Sequence, residues 1–373
     1  MDFRLKNILI ISPTPWDVSS PARQHYAREL AKMSNKVFYL NPPTKIDSVI
    51  EMSENLWIVD YKPLMSLFGL FPAPSDAKLI EKINRLIGKK LDVVWSFDSS
   101  RFTDLSVLGS EPVKIYSLEE WHKDFEKDRL IAQSADLVLG LSQPLLDRIG
   151  NVKSWKYLFD HALGSVFADA IYRVKQIKEN TQFATGRIRC GYLGNLQNKY
   201  LDTAVFETII RNNPIVEFHI IGPFVKESNL AAGNKTWEDP FVEFLMSMPN
   251  VRLYGSLMTV RTAEILQTMD MFLVCYDSKN YGDMTANPQK VVEYFSAGNV
   301  VVSNHLKSFD KHKDLILMAA ENKDLPQIFK DTVTNLEMHN RAELFRKRLD
   351  FALSHTYEKQ LNKIAGILSN MGK

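Results

Sequence analysis

The sequence predicts an α/β protein made of two doubly wound parallel sheets in series. Short runs of Val, Ile and Leu alternate with longer segments of helical period along most of the 373 residues. The alternation pauses near residues 159–187 and then resumes. A chain of this length also exceeds what one core usually holds, so two domains are expected.

In chain order, KNILIIS (6–12), KVFYL (36–40), LWIVDY (56–61), LDVVWSF (91–97), VKIYSL (113–118) and DLVLGLS (136–142) read as strands. Their near-continuous apolar content suits parallel strands covered on both faces. Helical segments lie between most of them, among them 22–33, 76–87 and 123–134. The stretch around Asp160, His161 and Gly164 reads as a linker. IRCGYLG (188–194), VEFHIIG (216–222), VRLYG (251–255), MFLVCY (271–276) and NVVVSN (299–304) then build a second sheet. Beyond residue 323 only helices are expected. The last, YEKQLNKIAGILSNM (357–371), sets Leu361, Ile364, Ala365 and Leu368 on one face and therefore needs a surface to dock on.

Composition excludes several classes. A net charge of +2, with 46 basic and 44 acidic residues, leaves no general footprint for nucleic acid. No run approaches the roughly 18 apolar residues of a membrane-spanning helix. The apolar run Ile8–Ile11 stops at Ser12-Pro13, too short for a secretory signal, so a soluble cytoplasmic protein is expected. The two cysteines, Cys190 and Cys275, sit in strands and read as buried free thiols. No Gly-x-Gly-x-x-Gly follows a strand, which argues against a dehydrogenase.

The richest segment is NPQKVVEYFSAGNVVVSN (287–304). Asn287 suits an N-cap and Pro288 the first helical position, so a helix with anion-seeking N–H groups is expected to start there. Lys290 in the first turn opposes the helix dipole, a conflict that a bound phosphate removes. Glu293, one turn along at a spacing of about 5–6 Å, can accept hydrogen bonds from two adjacent hydroxyls such as those of a ribose. The bland alternative is a solvated Lys290–Glu293 ion pair. Gly298 would then end the helix before a valine-rich strand.

This segment resembles the nucleotide-sugar motif of GT-B glycosyltransferases, most nearly the family-four type of bacterial polysaccharide and teichuronic-acid assembly. CGYLGNLQNKYLD resembles the glycine loop that opens the second domain, PNVRLYGSL the strand beside the nucleobase, and ILQTMDMFLVCYDS the approach to the sugar pocket. SHTYEKQLNKI resembles the closing helix, and SPTPWDVSSPARQHYARELAK the opening strand-loop-helix.

The resemblance implies two Rossmann-like domains facing across a cleft. Residues 1–165 would bind the acceptor and 186–350 the nucleotide sugar, while 351–373 would form a helix crossing back to the first domain. Glu293 would hold the ribose, with Lys290, Asn287 and Pro288 at the diphosphate and Gly194 letting the backbone approach it. Asn195 stands where the family often has an arginine, and Lys199 near its lysine. Leu257 or Met258 would wall the base, and Asp283 and Thr285 would line the sugar pocket. Thr285 replaces a glutamate of many retaining members, which leaves the anomeric outcome open.

No metal and no cofactor are expected beyond the donor itself, a nucleoside-diphosphate sugar with UDP favoured over GDP. An inverting reaction would need a base from the first domain. Candidates at the carboxyl ends of its strands are Asp17, His25, Asp98, Glu119, Glu120 and His122, with Glu119 and Glu120 preferred, and His161 of the linker is a further one. The acceptor would be a saccharide or a lipid-linked one. KPLMSLFGLFPAPS (62–75) reads either as a loop against the core or as a peripheral contact with the inner leaflet. Two alternatives remain open: a nucleotide-sugar epimerase of the same architecture, and a non-catalytic sugar-nucleotide-binding subunit.

Overall fold

A computed structural model describes residues 3–16, 22–63, 76–122, 125–178, 186–224 and 239–373. The chain divides into two compact units, Met1–Asp160 with Tyr357–Lys373, and His161–Thr356.

The first unit holds an eight-stranded sheet of β1 (Asn7–Ile11), β2 (Lys36–Leu40), β3 (Ser48–Ser53), β4 (Leu56–Asp60), β5 (Val93–Ser96), β6 (Val113–Leu118), β7 (Leu137–Gly140) and β8 (Trp155–Leu158). Their order is β3-β4-β2-β1-β5-β6-β7-β8, parallel except for the β3–β4 hairpin. Helices α1 (Ala22–Lys32), α2 (Asp76–Ile87), α3 (Phe125–Ser134) and α4 (Gln143–Arg148) connect them. Strands β3 and β8 were not legible as such. Both are edge strands, and their residues are largely exposed, so neither carries a continuous apolar run.

The second unit holds β9 (Ile188–Leu193), β10 (Val216–Ile221), β11 (Val251–Gly255), β12 (Met271–Val274), β13 (Val300–Ser303) and β14 (Ile316–Met318), all parallel in the order β11-β10-β9-β12-β13-β14. The three-residue β14 is a further strand that the sequence pattern does not announce. Helices α5 (Ser165–Lys178), α6 (Thr203–Asn212), α7 (Pro240–Ser247), α8 (Thr259–Leu266), α9 (Ser278–Tyr281), α10 (Lys290–Phe295), α11 (Leu325–Thr334), α12 (Leu336–His339) and α13 (Ala342–Leu353) complete it. Met271 and Leu273 belong to one core cluster and Phe272 and Val274 to the other. The sheet is therefore covered on both faces, which is why its strands read as unbroken apolar runs. Cys190 and Cys275 are buried free thiols, and burial pushes both thiols up.

The last helix, α14 (Tyr357–Asn370), buries Tyr357, Leu361, Ile364 and Leu368 in the first unit. Tyr357 stacks on His25 of α1 at 4.9 Å and meets Tyr26 edge-on at 4.7 Å. Each of these fully buried aliphatic side chains contributes about 1.5–3 kcal/mol. That apolar stripe is what returns the chain end to the first sheet.

Candidate functional site

In an open parallel sheet, ligands bind beyond the carboxyl ends of the strands where the strand order reverses. In the second unit that point lies between β9 and β12. β9 runs into Gly194 and β12 into Tyr276, and α10 starts beside both.

The Lys290 ammonium occupies this point. Its Nζ lies 4.5 Å from the centre of the Tyr192 ring and 4.9 Å from that of Tyr276. Contacts of this kind hold a cation without neutralising it. Burial works against the ammonium, but the phenols of Tyr192, Tyr276 and Tyr294 outweigh it and hold the amine above the usual lysine range. No carboxylate pairs with Lys290 among the described residues, so the expected alternative of a Lys290–Glu293 ion pair does not form.

Two glycines make room here. A methyl group built on Gly194 would lie 2.7 Å from Lys290 Nζ and 3.1 Å from Tyr192 Oη. One built on Gly222, after β10, would strike the Gly194 carbonyl oxygen at 2.1 Å. The Gly194 loop is further fixed by the Leu193 N–H, which donates to Tyr294 Oη at 2.6 Å, while the Tyr294 ring stacks on Phe272 at 4.4 Å. The sequence analysis gives these tyrosines no role of their own, yet they position both the cation and the glycine loop.

The helix start differs from expectation. Asn287 is not its cap and Pro288 is not its first residue. α10 begins at Lys290 after Gln289, which makes no side-chain capping bond. His161 Nε2 bonds the Asn287 carbonyl at 2.9 Å, and the first turn closes instead through Val291 N–H to Pro288 and Val292 N–H to Gln289, both at 3.1 Å. With only six residues, α10 carries little dipole, so the positive charge here is that of Lys290.

Glu293 lies one turn along. Its half-buried carboxyl accepts from Gln289 Nε2 at 3.1 Å, and burial raises it to about 7. One further acceptor oxygen remains for a ligand.

Around this centre, Asn195 is exposed and its side chain accepts from the Gln197 N–H at 2.9 Å. Lys199 is exposed over the Tyr200 ring at 5.1 Å. Leu257, after β11, packs partly buried against the core, and Met258 beside it is exposed. Asp283 is exposed, whereas Thr285 is buried with its hydroxyl donating to the Tyr281 carbonyl at 3.0 Å.

In the first unit Asp17 lies outside the described residues, as does most of 62–75. Glu119 is half-buried, 3.9 Å from Arg23 Nη1, and burial raises its carboxyl to about 7. Arg23 is 6% exposed, and its Nε has no hydrogen-bond partner among the described residues. Asp98 is not free to act as a base: it accepts from Ser100 N–H and Oγ at 2.7 and 2.6 Å and from Arg101 Nε at 2.6 Å. Arg101 in turn bonds the Ser12 and Asn41 carbonyls, so this knot ties β5 to β1 and β2. His25 packs on Tyr357, and burial lowers its pKa. Glu120 is exposed. Its neighbour His122 bonds Asp128 of α3, a partner that no local spacing in the sequence reveals.

No protein-family model matches the chain, and no curated protein sequence matches it. Solved structures do. Sucrose-phosphate synthase of Thermosynechococcus elongatus superposes with a TM-score of 0.69 at 12% identity, over 98% of this chain and 99% of that one. Anabaena HepE in complex with UDP and glucose gives 0.67 at 11%, over 98% and 99%. A UDP-forming α,α-trehalose-phosphate synthase from Burkholderia vietnamiensis gives 0.68 at 12%, over 98% and 97%. The architecture is therefore the GT-B fold of glycosyltransferases, with two Rossmann-like parallel-sheet domains.

Proposed function

We propose that the protein is a glycosyltransferase that moves a sugar from a nucleoside-diphosphate donor, UDP before GDP, to a saccharide or lipid-linked acceptor in surface polysaccharide assembly. The observation that carries this reading is the unneutralised Lys290 ammonium at the switch point of the second sheet, with Gly194 beside it and Glu293 one turn away.

In this reading the Glu293 carboxylate accepts from the ribose hydroxyls, while Lys290 and the Gly194 backbone face the diphosphate. As the sugar–phosphate bond breaks, negative charge grows on the diphosphate. A fixed cation held by aromatic faces stabilises that charge without having to reorganise. In the same reading Leu257 walls the base, and Asp283 and Thr285 flank the sugar. Thr285 acts more by shape than by its hydroxyl, which is already engaged. The preference for UDP is supported by the HepE structures, whose bound ligands are UDP and UDP-glucose. The polysaccharide role is supported by the motif resemblance.

The test is calorimetric titration with UDP and GDP, followed by assay of donor turnover with mixed saccharide and lipid-linked acceptors. Transfer to an acceptor is expected. Release of an isomerised nucleotide sugar would indicate an epimerase. Tight binding with no turnover would indicate a sugar-nucleotide-binding subunit.

A further inference from the structure

We propose that the amino end of the second sheet carries a binding site for a small phosphorylated sugar, separate from the Lys290 centre. The site goes beyond the transferase reading and does not depend on it.

Its residues come from neighbouring strands of the second unit. Arg187 and Arg189 lie where the chain enters β9, Glu217 near the start of β10, Arg252 near the start of β11, and Asp270 just before β12. Arg189 is in register with Glu217, and Arg252 with His219, which is two residues beyond Glu217 on β10, so these side chains share one face of the sheet. Together with Gly186, the three arginines and two carboxylates line a cavity of about 460 Å³, the size of a small-molecule site. Every side chain in that lining is charged, which suits a polar ligand and not an apolar one.

The carboxylates hold two of the arginines without using up their forks. Asp270 Oδ2 accepts from the Arg189 backbone N–H at 2.8 Å and from its Nε at 3.4 Å, and Glu217 Oε1 accepts from Arg252 Nε. The terminal nitrogens of Arg189 and Arg252 have no partner among the described residues. Arg187 is exposed and has no carboxylate partner among them either. An ion-pair network that served the surface alone would match its charges. This one leaves a positive charge over, inside a cavity.

Glu217 is fixed from behind. His219 Nε2 lies 3.1 Å from Glu217 Oε2, and His219 Nδ1 lies 2.7 Å from Tyr254 Oη. Burial lowers the pKa of His219 against the pull of Glu217, so the ring is neutral at pH 7, donating from Nε2 to the carboxylate and accepting at Nδ1 from the phenol. Burial of Glu217 is outweighed by Arg252 and His219, which hold its carboxyl below the usual range. Arg252 is thereby anchored to a carboxylate that stays ionised.

A phosphate monoester matches the guanidinium end. It brings three terminal oxygens and a double charge to forks that bind oxyanions through paired N–H groups, where a carboxylate brings two oxygens and one charge. Arg187 and the open end of Arg189 would take the phosphate. Arg252 stands two strands from Arg189, about 10 Å at the usual strand spacing, so the cavity extends past a single phosphate. Between them Glu217 and the unpartnered Asp270 Oδ1 offer acceptors for hydroxyls, which the body of a sugar supplies. Arg189 lies near the start of β9 and Gly194 just past its end, about 16 Å apart at the usual rise per residue. An occupant of the cavity therefore does not reach Lys290.

The experiment titrates the full chain calorimetrically with glucose 6-phosphate, glucose 1-phosphate, glucuronate, inorganic phosphate and glucose, each with and without UDP. A sugar phosphate is expected to bind, and to bind equally well with UDP present. Inorganic phosphate is expected to bind more weakly, and glucose not at all. Arg187→Gln and Arg252→Gln are each expected to weaken the sugar phosphate at least about tenfold, with thermal unfolding and UDP affinity unchanged. Arg187 is exposed and makes no ion pair, so a loss in Arg187→Gln does not come from a broken fold. Absence of binding by either sugar phosphate, or unchanged binding in both variants, would overturn the proposal. So would displacement of the sugar phosphate by UDP, which would place it at the Lys290 centre. Glucuronate binding more tightly than both sugar phosphates would overturn the phosphate assignment. UDP binding and donor turnover test the transferase reading separately.

Discussion

The Leu193 N–H donates to Tyr294 Oη at 2.6 Å, so a tyrosine of the short helix α10 holds the end of the strand that leads into the glycine loop. Tyr294 is fully buried and stacks on Phe272. Tyr294→Phe keeps the ring but strands a backbone donor, at a cost of about 1–3 kcal/mol. Urea unfolding is expected to show that loss, and UDP affinity is expected to fall with it because the loop is released.

Lys290→Met removes the charge while keeping much of the side-chain length. UDP affinity is expected to fall at least tenfold, about 1.4 kcal/mol, while binding of uridine stays within about twofold. Calorimetric titration of both ligands checks the contrast. Equal losses for the two would place Lys290 away from the diphosphate.

Gly194→Ala puts a methyl group 2.7 Å from Lys290 Nζ. The flexible amine moves more easily than the backbone, so the variant is expected to fold with a stability loss of about 1–3 kcal/mol. UDP affinity is expected to drop by about as much as in Lys290→Met. A combined Gly194→Ala and Lys290→Met variant should then lose little more than either alone, which a double-mutant cycle measures.

Glu293 makes binding depend on pH. Its carboxyl ionises near 4.5 when unfolded and near 7 in the folded protein because of burial. The folded state therefore holds the extra proton between those values. Stability falls as pH rises from about 4.5 to about 7 and is level above. Ribose hydroxyls donate to the ionised form, so UDP affinity is expected to rise through pH 7. UDP titrates as well, and the difference between wild type and Glu293→Gln isolates the protein's share. A Glu293→Gln profile identical to wild type would remove the ribose contact.

The central strands were legible because coverage on both faces demands unbroken apolar runs. SVIEMS and WKYL were not, since edge strands with exposed side chains lack that demand. At the site, Lys290 and Glu293 could be singled out from spacing and resemblance. The capping role given to Asn287 failed because the helix starts later, at Lys290 after Gln289, beyond reach of a cap at residue 287. Tyr192, Tyr276 and Tyr294 gave no signal of their own, because a tyrosine that cages a cation and one that fills a core look alike in sequence. The pairing of His122 with Asp128 depends on how α3 folds over β6, which no local pattern encodes.

The account depends most on the Lys290–Glu293 pair forming the nucleotide site. Calorimetric titration of UDP into wild type and Glu293→Ala at pH 8 tests it directly. At least a tenfold loss of affinity in a variant that unfolds at the wild-type temperature is the predicted result. Undiminished UDP binding by Glu293→Ala would contradict it.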